Sequence, residues 1–365
     1  MLGDGTSTYR LNEVAEILKI TTGIEDTERK AAQPIELVNV KNGMLNIFTN
    51  ELLPHDPKYL STIQIPIEYD LNATCDEIDI FFATTLNPDC IDLAYEMFGY
   101  CLIPDISLEK AFMLIGSGKN GKSTLLKLLR AFIGGKNTST IPLQDLANHR
   151  FKRAEIVGKL LNICPDLSNE TIKDSSYFKP MVSGDMVDAE RKNKDPFSFT
   201  PFARHIYSAN EIPRSYDKTY AYYRRWIIIP FEKRFDGKKA DLNLISKLIR
   251  PTELSGLLNL AITGVRRVLI NHAFTERDSV KQALERYERD NDNVTEYLKD
   301  MCLFGSDYKV KRTEFYSAYK SWCEAENMKV QSNKAVYKKI RERKEIGEIH
   351  GDKDGYYFTG IGIKN

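Results

Sequence analysis

The chain has 365 residues, 42% of them apolar and 28% charged, with a formal net charge of +1. That length exceeds one average domain, and the composition excludes a disordered or low-complexity chain. Near-neutral charge excludes a globally basic protein, so any surface for a polyanion must be local. The six cysteines include no Cys-x-x-Cys pair and the five histidines lie far apart, so no zinc signature is present. Buried free thiols in a reducing compartment are expected. With no leader pattern and no apolar run of about 18 residues, the expectation is a cytoplasmic protein with no membrane partner.

Residues 1–34 are polar, with a short amphipathic helix expected near Leu11 to Ile20. Ile35 to Phe48 reads as two apolar alternations split by Lys41-Asn42-Gly43, a hairpin signal. Residues 75–104 read as helices, with Leu93, Met97 and Tyr100 at helical spacing. Together 1–104 are expected to form a small hairpin and helical domain that serves oligomerisation. Ala111 to Ile115 is a short apolar run that ends in glycines, and a helix is expected after Gly121 with Leu125, Leu128, Leu129 and Phe132 on one face. Further apolar runs follow at Leu160 to Cys164, Ala203 to Ser208 and Trp226 to Phe231. This alternation predicts an α/β domain with a central, largely parallel sheet. Its extension over 239–289 is helical, with Leu257, Leu258, Ile262, Val265 and Val268 as the packed face, giving a domain over 105–289. In 290–365, helices are expected at 292–302, 312–326 and 333–344, then a hairpin from Ile346 to Ile363 turning at Gly351 to Gly355. Three helices and a hairpin are the layout of a winged helix. Tyr356, Tyr357 and Phe358 are expected in the core of the wing rather than as base-stacking residues.

Gly116-Ser117-Gly118-Lys119-Asn120-Gly121-Lys122-Ser123 fits the pattern G-x-x-x-x-G-K-[ST], between an apolar strand and an amphipathic helix. Phosphate is densely negative, so the backbone N–H groups must turn inward, and glycine permits that path. Lys122 would reach the β- and γ-phosphates and Ser123 would hold Mg²⁺, with Thr124 beside it. ATP and Mg²⁺ are therefore the expected cofactors. Leu160 to Cys164 runs on through Pro165 to Asp166, an apolar strand ending in a carboxylate suited to a second Mg²⁺ contact. The same Asp166 also suits a helix N-cap for a segment from Leu167. His205 to Asn210 ends in an amide that can sense a γ-phosphate or simply make a turn. Arg224 and Arg225 precede a strand; they read as a solvated edge or as an arginine finger for a neighbouring copy.

These segments, in order, resemble the superfamily-three helicases, specifically the phage and plasmid primase-helicases related to the poxvirus nucleoside triphosphatase. The motifs are G-S-G-K-N-G-K-S-T, L-L-N-I-C-P-D, S-G-D-M-V-D-A-E-R-K, Y-S-A-N-E-I-P and Y-R-R-W-I-I-I-P-F. Upstream, V-K-N-G-M-L-N-I and L-L-P-H-D-P resemble the helical domain ahead of that motor. The resemblance implies an AAA+-like ATPase core, hexameric rings, hydrolysis at subunit interfaces and 3′-to-5′ movement on single-stranded DNA. It implies Lys122 and Ser123 as the phosphate-loop pair, Asp166 at the metal, Asn210 as sensor, and Arg225 or Arg224 as the finger. It makes Gly184 to Phe199 a DNA-tracking hairpin with Arg191, Lys192 and Lys194 facing a central channel. By its residues alone, that segment is two flanks around a basic, turn-prone tip, read either as a grip for phosphates or as a solvated surface turn.

The sequence departs from the family in two places. Many members carry paired acidic residues where Asp166 stands between Pro165 and Leu167, which leaves the water-activating base unassigned. Members also commonly carry a primase domain, which the residues ahead of 35 are too few to form; either a separate primase or a fragmentary chain is expected. His149 to Arg153 is a second basic cluster, read as a solvated face, an interface or a DNA contact. Ser332 is expected to cap a helix whose exposed side carries Lys334, Lys338, Lys339, Arg341 and Arg343, read either as a recognition helix or as a plain basic face. The expected function is a replicative DNA helicase of a mobile element or virus, acting on single-stranded and forked DNA. The alternative is an origin-binding initiator that uses ATP as an assembly switch, and a small-molecule phosphotransferase shares only the phosphate loop.

Overall fold

The computed structural model describes residues 7–22, 34–235, 241, 243–326, 328, 330–351 and 355–364. Helix α1 (Thr8–Thr22) exposes Leu11, Val14, Ile17 and Leu18. Strand β1 (Leu37–Val40) pairs with β2 (Gly43–Asn46), Val40 opposite Gly43, so the turn is Lys41-Asn42. Gly43 is needed for a different reason than the turn. A Cβ there would lie 2.4 Å from the carbonyl oxygen of Leu53 in the third strand, β3 (Leu52–Leu53). Helices α2 (Asp76–Thr85) and α3 (Ile91–Tyr100) follow as expected.

The chain then runs β4 (Ala111–Ile115), α4 (Lys122–Ile133), β5 (Thr138–Ser139), α5 (Leu143–Asn148), α6 (Arg150–Arg153) and β6 (Leu161–Cys164). After α7 (Phe178–Ser183) comes a two-stranded ribbon, β7 (Val187–Ala189) and β8 (Phe197–Phe199), then β9 (Arg204–Ala209), α8 (Tyr220–Tyr223) and β10 (Trp226–Pro230). Five of these strands form one parallel sheet in the order β10-β4-β9-β6-β5. Successive residues of a strand point to opposite faces, so each strand feeds two cores. Phe112, Leu114, Ile163, Ile206 and Ile229 pack on one side; Met113, Tyr207, Trp226 and Ile228 pack on the other. Burial on both faces is why these strands read as unbroken apolar runs.

The first of those cores does not stop near residue 104. It joins β1, β2, α2 and α3 to α4 and to α10 (Pro251–Asn271), which follows the short α9 (Leu244–Leu248). Helices α3 and α10 meet at glycine: a Cβ on Gly99 would fall 2.0 Å from the carbonyl oxygen of Ala261, and one on Gly264 2.7 Å from the backbone of Tyr95 and Glu96. The expected face Leu257, Leu258, Ile262, Val265 and Val268 is buried. Residues 239, 240 and 242 of that helical stretch lie outside the described residues. Helix α11 (Asp278–Asp290) closes the segment.

The last unit has α12 (Asn293–Met301), β11 (Cys302–Lys311), α13 (Arg312–Ala325), α14 (Asn333–Arg341), β12 (Gly347–Gly351) and β13 (Gly355–Ile363). Its antiparallel sheet has the order β11-β13-β12 and its own core, including Val294, Tyr297, Phe315, Val336, Ile340, Phe358 and Ile361. Strand β11 was not expected. Most of it is exposed, so it shows no apolar alternation. Of the three aromatic residues expected in the wing core, only Phe358 is there. Tyr357, its neighbour on the strand, points to the other face, and Tyr356 is 51% exposed at the hairpin end. Residues 352–354 of the expected turn lie outside the described residues. Among the described residues, no helix is long and apolar enough to cross a membrane.

Candidate nucleotide and nucleic-acid sites

The glycine loop leaves β4 at the carboxyl edge of the sheet, where Gly116 N–H donates to the Ala209 carbonyl at 3.3 Å. Gly118 and Gly121 take φ of +89° and +92°, a region that disfavours side chains. Gly121 is also crowded: a Cβ there would sit 2.4 Å from Cγ2 of Thr85 on α2. Gly121 caps α4 without a side-chain hydrogen bond, so the first N–H groups of the helix open toward the loop. Lys122 is 5% exposed. Its ammonium donates to the Gly116 carbonyl and, at 3.2 Å, to Asn120 Oδ1, while buried Asn120 donates from Nδ2 to the Phe231 carbonyl at 3.2 Å. Burial pulls the Lys122 pKa below its ordinary value, and the charge of Asp166 pushes it back. A buried ammonium hydrogen-bonded to neutral oxygens, beside open N–H groups, fits an anion. Ser123 is exposed and Thr124 half-buried at the same helix start.

Asp166 stands two residues past β6 and Asn210 one residue past β9, both exposed. These strands are parallel neighbours, with Cys164 opposite Tyr207, so both side chains sit at the edge that carries the loop. Leu167 N–H donates to the Ser208 carbonyl at 2.8 Å, which ties the two strand ends together. No helix starts at Leu167; the next one is α7, so the N-cap reading of Asp166 fails.

Arg224 and Arg225 lie at the opposite edge. Strands β10 and β4 are parallel, with Trp226 opposite Ala111 and Pro230 opposite Ile115. About five residues at 3.3 Å each separate the arginines from the loop of their own copy. Arg225 is 7% exposed and committed internally. It donates to Ser183 Oγ at 3.1 and 2.6 Å and to the Ala221 carbonyl, and it pairs with Glu109 at 3.2 Å. Arg224 also pairs with Glu109, but its side chain is 37% exposed. Of the two expected candidates, Arg224 alone faces outward.

The segment after α7 is a hairpin. Gly184, at φ +74°, ends α7, and Val187, Asp188 and Ala189 pair with Phe199, Ser198 and Phe197. Residues 191–196 are exposed, with Lys194 N–H closing on the Arg191 carbonyl at 3.0 Å and the Arg191 guanidinium 4.9 Å above Phe197. Two members of the 149–153 cluster, Arg150 and Arg153, serve this hairpin, while Lys152 pairs with Asp145. Arg153 is 3% exposed and donates to the Leu146 and Asp188 carbonyls and to Asp188 Oδ2, each at 2.9 Å. It stacks 3.7 Å over Tyr177, whose hydroxyl donates to Asp188 Oδ1 at 2.7 Å. Arg150 pairs with Glu190 at 2.7 Å. Sequence alone offers no signal for this brace, because Asp188, which ties Arg153 to the hairpin, lies 35 positions downstream.

In the last unit Ser332 caps α14, accepting from Ala335 N–H at 3.4 Å. Lys334 and Lys338 are exposed. Lys339 does not join them, because its ammonium pairs with the buried Asp292. Arg341 is held by Glu348 at 2.8 and 3.2 Å. The expected basic face is thus smaller than its charge count. A strap just past Asn210 binds this unit to the sheet: Arg214 pairs with Glu296 at 2.7 Å, Ser215 N–H donates to Asn291 Oδ1 at 2.9 Å, and Lys218 donates to Asn293 Oδ1 at 2.8 Å.

Three family models match along the chain. The D5 N terminal like family covers residues 11–87, a family of unknown function (DUF5906) covers 114–225, and the Poxvirus D5 protein-like family covers 289–350. A putative helicase of Acanthamoeba polyphaga mimivirus is 28% identical over 148 residues, or 37% of this chain; the chain spans 15% of that relative's length. The A form apo structure of the NrS-1 C terminal region matches in fold, with a TM-score of 0.50 at 11% identity, covering 96% of this chain and 90% of that one.

Proposed function

We propose, from the premise that the chain belongs to the superfamily-three primase-helicases of the phage and plasmid type, that it is an ATP-hydrolysing DNA helicase built as a ring of copies. One observation carries this reading. The glycine loop, Asp166 and Asn210 share one edge of the sheet, while the outward-facing Arg224 and the basic hairpin tip belong to other parts of the surface. A single copy therefore holds an incomplete site, and a neighbour can complete it.

In this reading Lys122 leaves the Gly116 and Asn120 oxygens for the β- and γ-phosphates of ATP. Ser123 and Asp166 would hold Mg²⁺, which would neutralise charge on the phosphates. Asn210 orients water, and Arg224 of the adjacent copy stabilises charge on the γ-phosphoryl group. The loop's remaining members, Gly116, Gly118, Asn120, Gly121 and Thr124, shape the cradle. Arg191, Lys192 and Lys194 line a central channel and grip the phosphates of one strand. The order β10-β4-β9-β6-β5, with the sensor strand between the loop strand and the Asp166 strand, supports an AAA+-like core. The sequence α12-β11-α13-α14-β12-β13 supports a winged helix, with Lys338 on its basic helix. The hexamer, the 3′-to-5′ direction, the forked substrate, the separate primase, the mobile-element source and the cytoplasmic setting belong to this proposal.

Mixing two inactive variants tests it. Lys122→Ala lacks the loop cation and Arg224→Ala lacks the finger, so each alone should lose hydrolysis. Mixed in equal amounts, about a quarter of head-to-tail interfaces join an intact loop to an intact finger, and activity should return in part. Retention of full activity in Arg224→Ala, or no recovery on mixing, overturns the shared site.

A further inference from the structure

Among the described residues, the sheet of the last unit turns a second face to solvent, with Lys309 exposed and Ile349 44% exposed on it. Strand register sorts its side chains, because directly opposed residues share a face. Lys311 lies opposite Tyr357, and Tyr357 opposite Ile349; Lys309 lies opposite Thr359, and Thr359 opposite Gly347. Phe358 and Glu348, one step along, turn to the inner face. At these positions the outer face carries two lysines, a tyrosine, an isoleucine and small residues, and Leu303, opposite Gly362 and 37% exposed, extends it. A β-bulge between Phe304 and Lys309 adds Tyr308, which is 40% exposed.

Glycines set how the tyrosine rings lie. A Cβ on Gly362 would meet Tyr308 Cδ1 at 2.9 Å, and one on Gly305 would meet the same ring at 3.3 Å. A Cβ on Gly351 would meet Tyr357 Cε2 at 3.0 Å. Each ring thus rests on bare backbone. The Lys309 ammonium stands 4.3 Å from the centroid of the Tyr357 ring. Along these paired rows, the two long polar side chains are both cationic, and Asp307 in the bulge is the adjacent carboxylate.

We propose that this outer face is a platform for single-stranded DNA, with Tyr308 and Tyr357 stacking on bases and Lys309 and Lys311 drawing in the backbone phosphates. Flat rings beside ammonium groups accept any base, because every base has a stacking face. The platform lies on the side of the sheet away from α14, so a strand bound there leaves the basic helix free. The inference rests on the reading of the chain as a DNA motor and adds a second strand contact outside the ring channel.

The test is anisotropy of the full chain, without nucleotide, on a labelled oligothymidylate of about 15 nucleotides. Tyr357→Ala should weaken binding roughly 5- to 100-fold, while Tyr357→Phe retains it. Lys309→Gln should lower the salt slope of log K by about 0.7. A thermal melt guards against the purely structural role, in which the ring only covers glycine. In that case Tyr357→Ala lowers the melting midpoint and leaves affinity unchanged, which overturns the platform. Loss of affinity for a blunt duplex alone, with oligothymidylate binding intact, also overturns it. If the parent chain binds no oligothymidylate at all, the platform fails, while the motor reading is decided separately by mixing Lys122→Ala with Arg224→Ala. If the parent binds and the Tyr357 variants match it, only the platform fails.

Discussion

Replacing Arg153 with methionine should free the β7–β8 hairpin without unfolding the chain. Methionine keeps the apolar stem and removes the guanidinium. The Leu146 and Asp188 carbonyls then lose their 2.9 Å donors. A buried carbonyl left unpaired costs about 1–3 kcal/mol. The Asp188 side chain is 58% exposed, so water replaces its ion-pair partner and that contact adds little. The loss is therefore about 2–4 kcal/mol, counting both carbonyls with part of the cost recovered by water. A domain has about 5–15 kcal/mol in hand, so the chain stays folded. The ribbon, with three paired residues per strand, has little stability apart from its support. Protease cleavage within 190–196 should speed up, and DNA-stimulated ATP hydrolysis should collapse while basal hydrolysis survives. Tyr177→Phe, which removes one hydroxyl contact, should show the same pattern more weakly. An Arg153→Met chain whose hairpin resists protease like the parent, with stimulated hydrolysis intact, refutes the brace.

Two further outcomes follow from buried charge. His205 is 1% exposed, and burial pushes its imidazole pKa down to about 3, against about 6.5 when unfolded. Between those values the unfolded chain binds the extra proton, so stability should fall as pH drops below about 6.5. His205→Gln should flatten that acid limb in urea midpoints measured across pH; a parent midpoint that is level down to about pH 5 contradicts it. Lys339 and Lys338 should also separate cleanly. Lys339→Met breaks the pair with Asp292 and should lower the thermal midpoint, whereas Lys338→Met should leave the midpoint alone and weaken duplex binding, with the salt slope reduced by about 0.9. The opposite assignment would show α14 oriented differently.

What the sequence disclosed and what it hid divide along a physical line. Sheet strands were legible because burial on both faces forces apolar runs, and the loop was legible because phosphate contact demands glycines at fixed spacing. The hairpin was legible from its basic tip and Pro196. The role of Arg153 was not, because a guanidinium's partners are chosen by tertiary approach and leave no local trace. The same applies to Lys339, whose charge suggested a surface and whose neighbour Asp292 lies on another helix cap. Strand β11 escaped because seven of its ten residues are exposed, which leaves no apolar alternation to read. Gly43 looked like a turn residue and is a spacing residue for β3, a distinction that needs the third strand in view.

The two arginines, adjacent in sequence, are held in different ways: Arg225 is buried, and Arg224 has a 37% exposed side chain. Ser183, the acceptor for Arg225, is the last residue of α7, and Gly184 opens the approach to the hairpin. Arg225 thus fastens the hairpin root to the head of β10. Arg224, one peptide bond earlier, projects from the same point toward solvent, and Glu109 contacts both guanidiniums. In the proposed ring, Arg224 would leave Glu109 when it meets the γ-phosphate of the next copy. Glu109 would then be left to Arg225 alone, and the contact that roots the hairpin would change with nucleotide state. That sequence needs no long-range wire, only a carboxylate shared by two arginines, one turned inward and one outward. Glu109→Gln should accordingly preserve nucleotide binding in each copy while uncoupling hydrolysis from strand movement, read as ATP consumed per base pair unwound. Unchanged coupling in that variant would remove Glu109 from the mechanism and leave Arg225 as a purely structural fastening.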